Sequence, residues 1–255
     1  MSYVDLHTHL LPGLDDGAMN LTETVAFARR LDAAGVRDVA CTTHVKREDF
    51  PGVRVESLSA ARAAAQEAVS AAGLDVRLHA GGELAHPDAL ELAPEDLARI
   101  AQGPPEAPWL LLECPFDGID RRFFEAARRL THLGYGLLLA HPERSAGVLR
   151  RGALAALQPL LDAGALLQVN VSSLLGDHGR TAREVAHALV ADGLAWCLAS
   201  DAHPGTRERL LPEGVAHLVA MGWSPAHAAR LTQHNPRGLL LHGMPRDDAR
   251  LLAAA

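Results

Sequence analysis

The chain has 255 residues, 48% of them apolar, which is enough for one large α/β unit with a sizeable core, expected over residues 1–255. Its formal net charge of −7 excludes a general binder of nucleic acid or of anionic membrane. Cys41, Cys114 and Cys197 show no CxxC spacing and read as reduced strand residues of a cytoplasmic protein, and neither an export signal nor a membrane span is expected.

The chain opens on a short strand, Val4-Asp5-Leu6-His7-Thr8-His9, whose two histidines are two residues apart and so point to one side of an extended chain. Leu10-Leu11-Pro12-Gly13-Leu14-Asp15-Asp16-Gly17 then turns sharply and can return Asp16 toward them. Asn20 followed by Glu23 predicts a helix start, with Leu21, Val25, Ala28 and Leu31 on one face and Gly35 as its stop. A strand is predicted over 36–43, ending at His44, then a helix over 57–72 stopped by Gly73. A strand over 76–80 ends at Gly81-Gly82-Glu83. A helix over 94–100 and a loop with three prolines over 102–108 lead to Trp109-Leu110-Leu111-Leu112-Glu113.

An amphipathic helix over 121–133 precedes the strand 136–140, which ends at His141-Pro142-Glu143-Arg144. A helix over 153–163, a strand over 165–169 reaching Asn170, a helix over 181–191 and a strand over 195–199 ending at Ser200-Asp201-Ala202-His203 follow. The tail carries helical segments over 211–221 and 225–233, then His234-Asn235-Pro236. Strand and helix alternate, and the strands are continuous apolar runs, as parallel strands buried on both faces are. Seven such strands favour a β/α barrel, a distorted, TIM-like one, over an open sheet.

The polar residues ending the strands are His9, His44, Glu83, Glu113, His141, Asn170 and Asp201, at steps of 35, 39, 30, 28, 29 and 31 residues. Each step is about one strand–helix unit of ~30 residues. The C-terminal ends of barrel strands share one mouth, where active sites sit. The candidate metal ligands are His7, His9, Asp16, His44, Glu83, Glu113, His141, Asp201 and His203, more than one tetrahedral ion needs. Two or three divalent ions fit, and mixed nitrogen and oxygen donors suit Zn, Mn or Fe. Clustered ions ~3.5–4 Å apart bind a phosphoryl group and lower the pKa of a bridging water, so that metal-activated hydroxide replaces a Ser or Cys nucleophile. Arg144 and Arg207 lie close in sequence to His141 and His203 and would hold phosphate oxygens.

These residues resemble the polymerase-and-histidinol-phosphatase (PHP) superfamily, and within it the CpsB/CapC/YwqE-like bacterial protein-tyrosine phosphatases. The likeness rests on Asp5-Leu6-His7-Thr8-His9 with the Leu-Pro-Gly-x-Asp-Asp-Gly turn, Glu83 after two glycines, Glu113-Cys114-Pro115 and His141-Pro142-Glu143-Arg144. It continues through Gln168-Val169-Asn170, Ser173-Leu174-Leu175-Gly176, Ser200-Asp201-Ala202-His203 and Asn235-Pro236, and so spans the chain. The resemblance implies a seven-fold PHP barrel with a three-metal site, manganese first, with Zn, Fe or Mg as other choices. His7, His9, Glu83 and Asp201 would serve one ion, Glu83, Glu113 and His141 a second, and Asp16, His44 and His203 a third. Arg144 and Arg207 would bind the phosphate, with Arg209 a stand-in for Arg207. The implied substrate is phosphotyrosine on a bacterial tyrosine kinase of capsule or exopolysaccharide export. The rivals are a small-molecule phosphatase of the same superfamily, acting on histidinol phosphate or a nucleotide, and a non-catalytic, metal-stabilised regulatory subunit.

Asp15 reads as a turn-forming residue, and Asn170 as a pocket hydrogen-bonder or structural amide rather than a metal ligand. The remaining histidines read as surface or packing groups, with His86 and His178 on loops at the mouth as candidate substrate contacts.

Overall fold

The computed structural model describes residues 2–146, 148 and 154–245. Its strand segments are β1 (Tyr3–Thr8), β2 (Val36–Cys41), β3 (His44–Val45), β4 (Arg77–His79), β5 (Glu83–Leu84), β6 (Trp109–Glu113), β7 (Gly136–Ala140), β8 (Leu166–Asn170) and β9 (Ala195–Ala199). They pair in parallel in the orders β1-β2-β4 and β3-β5-β6-β7-β8-β9. β2 and β3 are successive pieces of one stave, and β4 and β5 of the next, which leaves seven staves. The last meets the first through the parallel bridge Thr8↔Ala202, with Asp201 N donating to His7 O and His9 N donating to Ala202 O, both at 2.9 Å. The result is a distorted seven-stave β/α barrel.

The sequence predicts the second and third staves as unbroken strands, and both are interrupted. At Thr42 a side chain replaces the ladder: Thr8 N donates to Thr42 Oγ1 at 3.0 Å while Thr42 N donates to Thr8 O at 2.8 Å. Gly81 and Gly82 pass so close to the neighbouring stave and to Ile100 that an added Cβ would stand 3.1 Å from Cys41 O and 3.0 Å from Ile100 Cβ. The break sets His44 and Glu83 side by side in register.

The helices are α1 (Leu21–Ala33), α2 (Leu58–Ala71), α3 (His86–Glu91), α4 (Pro94–Ile100), α5 (Arg121–His132), α6 (Leu154–Asp162), α7 (Val171–Leu175), α8 (Arg180–Ala191), α9 (Leu211–Ala220), α10 (Pro225–Ala229) and α11 (Asn235–His242). α1 starts as the sequence predicts, with Asn20 Oδ1 accepting from Glu23 N. The short α3 and α7 are absent from the sequence reading. Residue 153, the first of the helix expected over 153–163, lies outside the described residues. The helix expected over 225–233 is α10 followed by a π turn, Arg230–His234, that runs into α11. Pro236, which follows the expected segment, sits in the first turn of α11.

Both faces of the strands are buried. Leu110 and Leu112 of β6 belong to the large outer cluster that also holds the helix residues Phe27, Leu31 and Phe123, whereas Trp109 and Leu111 join Leu138, Leu166 and Cys197 in a second, inner cluster. Leu239 of α11 belongs to the inner cluster, and Trp109 Nε1 donates to its carbonyl at 3.0 Å. With a period of two, the inner face of β6 runs Trp109, Leu111, Glu113, and that of β8 runs Leu166, Gln168, Asn170. Apolar layers fill the lower barrel, and β6 and β8 turn polar on their last step, at Glu113 and Asn170, while His141 and Asp201 follow the apolar ends of β7 and β9. Among the described residues no helix is long and apolar enough to cross a membrane.

Candidate metal centre

β1 delivers His7, and His9 just beyond its end, both fully buried, to the mouth of the barrel. Their Nε2 atoms lie 3.2 Å apart. Glu83 Oε2, from the start of β5, is 3.2 Å from His7 Nε2 and 3.4 Å from His9 Nε2. Asp201 Oδ1, just after β9, is 3.4 Å and 3.5 Å from the same two nitrogens. His7, His9, Glu83 and Asp201 therefore aim one donor each into a common point. Asp16, His44 and His203 form a second group, which His9 joins; Asp16 Oδ1 is 3.0 Å from His203 Nε2 and 3.5 Å from His44 Nε2. A third is His44, Glu83 and Glu113, with His44 Nδ1 3.0 Å from Glu83 Oε2. His141 Nε2 meets the other oxygen of Glu83 at 2.8 Å. All nine residues singled out in the sequence thus converge, with Glu83 at the junction. The grouping differs from the expected one in that His9 faces the Asp16 group and His44 takes the place beside Glu83 and Glu113 that was expected of His141, which meets only Glu83 of the two.

Among the described residues, the only non-glycine positions in the left-handed region are His141, at φ 34°, and Asp201, at φ 50°. Such conformations cost of order 1–3 kcal/mol each and persist where the surroundings force them. Here they turn the side chain following β7, and the one just beyond β9, back over the mouth. The loop after β1 is as tightly drawn, since a Cβ on Gly17 would stand 2.1 Å from His9 O.

The hydrogen bonds around the histidines fix which ring nitrogens are bare. Asp201 Oδ2 only accepts, so Asn170 Nδ2 donates to it at 2.8 Å. Asn170 Oδ1 then accepts from Gln168 Nε2 at 2.7 Å, and Gln168 Oε1 accepts from His7 Nδ1 at 3.0 Å. The proton of His7 is thereby on Nδ1, and Nε2 presents a lone pair. His9 Nδ1 donates to Asp15 Oδ2 at 2.8 Å, with the same consequence. His203 Nδ1 donates to the Asp201 carbonyl at 2.9 Å, and its Nε2 faces the Asp16 carboxylate at 3.0 Å while accepting from Arg207 at 2.6 Å. Lone pairs facing lone pairs and carboxylates need a cation between them. Glu83 Oε2 is buried and has no hydrogen bond although three imidazoles surround it. The donor set is the mixed imidazole and carboxylate type that binds divalent transition metals, with outer partners that fix each tautomer. The residues fit the group.

The electrostatics agree. Burial opposes the charged forms throughout, yet His7 and His44 hold Glu83 well below the usual carboxylate range. His7 and His9 do the same for Asp201. His9 is held well above the usual imidazole range against its burial, chiefly by Asp15. Burial and then the Glu83 charge push Glu113 up to about 8. A site of this kind gathers carboxylates that repel one another until cations arrive.

A cavity of ≈ 140 Å³ opens above these groups. Arg144 donates to Asp201 Oδ2 at 2.9 Å and lies 4.6 Å over the Phe116 ring. Arg207 donates to His203 Nε2 at 2.6 Å and also lines the cavity. Arg209 does not line it; its guanidinium is committed to Asp177 and Glu213. Of the two arginines left open by the sequence, Arg207 is the one at the mouth. The sequence reading missed Lys46, Phe50 and Phe116 on the cavity wall, although Lys46 follows His44 at strand spacing. It also treated Asp15 as a turn residue alone. Asp15 Oδ1 does accept from Gly17 N at 3.0 Å, but Oδ2 orients His9 and accepts from His44 N at 2.9 Å. His178 has a buried, unpartnered Nε2, and burial lowers its pKa to about 4. His86 packs on the edge of Phe123 and does not line the cavity.

A parallel β/α barrel whose strand ends converge on a nest of imidazoles and carboxylates is the frame of a metallohydrolase. The chain belongs to the family described as capsular polysaccharide synthesis, CpsB/CapC, whose model matches residues 3–241. It is 31% identical over 204 residues to the tyrosine-protein phosphatase YwqE of Bacillus subtilis, covering 78% of this chain and 77% of that protein. It is 28% identical over 200 residues to CapC of Staphylococcus aureus, covering 78% of this chain and 76% of that one. A crystal structure from work on YwqE of Bacillus subtilis and CpsB of Streptococcus pneumoniae, described there as metal-dependent tyrosine phosphatases, superposes with a TM-score of 0.79 at 24% identity over 95% of both chains. A β-aspartyl dipeptidase from Fervidobacterium islandicum shares the barrel, with a TM-score of 0.58 at 14% identity over 96% of this chain and 74% of that one.

Proposed function

We propose that this chain is a metal-dependent protein-tyrosine phosphatase that acts on a tyrosine kinase of capsule or exopolysaccharide export in the cytoplasm. The observation that carries the reading is the convergence of nine imidazole and carboxylate side chains beneath a cavity walled by Lys46, Arg144 and Arg207. The names of the relatives support the substrate class. His7, His9, Glu83 and Asp201 would hold one divalent ion, and the groups around Asp16 and Glu113 would hold one or two more, with manganese first. Bound there, the ions supply Lewis acidity toward the phosphoryl group and a nucleophile at neutral pH.

The chain's own residues do the rest. Arg144 and Arg207 neutralise phosphoryl oxygens, Arg144 with its orientation fixed by Asp201 and Phe116. Lys46, held by Asp49 at 2.8 Å, adds a third cation to the cavity wall. The rings of Phe50 and Phe116 give the tyrosyl group apolar flanks. Asp15, Gln168 and Asn170 keep the ligand lone pairs pointed inward.

The test compares a phosphotyrosyl peptide with histidinol phosphate on manganese-loaded protein, with His141→Ala as the control. Turnover of the peptide, lost with His141→Ala, is expected. Turnover of histidinol phosphate alone would move the chain to small-molecule chemistry, and activity unchanged in His141→Ala would assign the turnover to a contaminant.

A further inference from the structure

A second cavity, ≈ 160 Å³, opens beside the site and shares Lys46 and Phe50 with it. Its floor is apolar: Val53, Val55 and Leu92 are almost wholly buried beneath it. The volume matches about five waters of liquid, the scale of one aliphatic side chain.

The charges around this groove nearly cancel. Arg47 is tied to Asp88 and Glu91, Lys46 to Asp49, and Asp96 to Arg99. Arg54 and Glu56, one of each sign, complete the rim. A neutral rim over an apolar floor selects against a charged occupant, because a charge seated there would lose water without gaining a partner.

Resting on the phosphotyrosine reading, we propose that this groove is a substrate subsite that takes an aliphatic side chain flanking the phosphotyrosine of an extended polypeptide. Continuity with the catalytic cavity decides the occupant. Phe50 stacks on His44 at 4.9 Å on one side and walls the groove on the other. A chain whose phosphotyrosine sits against Phe50 in the catalytic cavity therefore passes the groove within a few residues. A free phosphorylated metabolite has no group to place there.

The experiment scans a single leucine through the three positions on each side of phosphotyrosine in a glycine–serine peptide, using manganese-loaded protein and para-nitrophenyl phosphate as the small control. One register is expected to raise kcat/KM about ten-fold over the all-glycine peptide, as burial of a leucine would. Val53→Thr introduces a hydroxyl into the floor at nearly constant volume, and it should erase most of that preference through KM while leaving para-nitrophenyl phosphate unchanged. Val55→Thr is the second variant if the first lowers the thermal midpoint. Equal turnover in every register, or a leucine preference that survives both variants, overturns the subsite and leaves the catalytic reading standing. Absence of turnover on every phosphotyrosyl compound overturns both.

Discussion

His7 and His9 face each other through bare Nε2 lone pairs 3.2 Å apart, because Gln168 and Asp15 each hold the opposite ring nitrogen as a donor. Without a metal, that contact is tolerable only if a proton sits in it, and His9 is accordingly raised well above its ordinary range, against burial, by Asp15. Metal must then displace protons. Manganese added to metal-free protein at pH 7 in weak buffer should release at least one proton per chain, read by an indicator dye, with additional release from Glu113, which burial and Glu83 raise to about 8. Binding with no proton release would mean that the lone pairs do not meet the ion.

Asp15 tests the outer support. It orients His9, caps Gly17 N and pins His44 N, so three parts of the mouth depend on one carboxylate. Asp15→Asn keeps the shape but replaces a carboxylate acceptor with an amide, which weakens the hold on His9. Metal affinity, measured by manganese titration, should fall about 10–100-fold. An unchanged affinity would show that His9 needs no orientation.

Much of this is legible in the sequence. The seven staves announce themselves as apolar runs, and the polar residue after each one marks the mouth, because strand ends on one side of a barrel must share a rim. The breaks at Thr42 and at Gly81-Gly82 were not legible, since a threonine hydroxyl standing in for a ladder bond has no hydropathy signature. Asp15 hid behind a role it does play: the same side chain makes the turn and orients His9. α11 hid because proline marks both the end of one helix and the start of another. Phe50 and Phe116 could not be assigned to the cavity because loop residues carry no period from which to read a direction.

Arg144 and Arg209 separate geometry from proximity in sequence. Arg144 reaches the cavity with one nitrogen on Asp201 and its plane over Phe116, so a lysine cannot reproduce the fork. Arg144→Lys should lower kcat/KM about 10–100-fold, the equivalent of losing one charge-assisted hydrogen bond or more. Arg209→Ala, which frees Asp177 and Glu213 on an exposed surface, should change kcat/KM by less than about two-fold. Equal losses in the two variants would contradict the placement of Arg144 at the phosphate.

Glu143 provides a stability test away from turnover. It is fully buried, with Oε1 accepting from Asn170 N at 2.9 Å and Oε2 without a hydrogen bond. Burial raises its pKa from 4.5 to about 7. The folded state therefore binds a proton that the unfolded state has already lost between those two values. Stability from this group is fully present below about pH 4.5, falls as pH rises, and is gone above about pH 7. At about 1.4 kcal/mol per unit, the ceiling is about 3 kcal/mol. Glu143→Gln keeps the acceptor for Asn170 and cannot ionise. In urea titrations of metal-free protein, the wild type should lose stability relative to Glu143→Gln between pH 5 and pH 8, by about 1–3 kcal/mol. A difference that stays constant across that range would mean that the Glu143 carboxylate is charged at both ends of it.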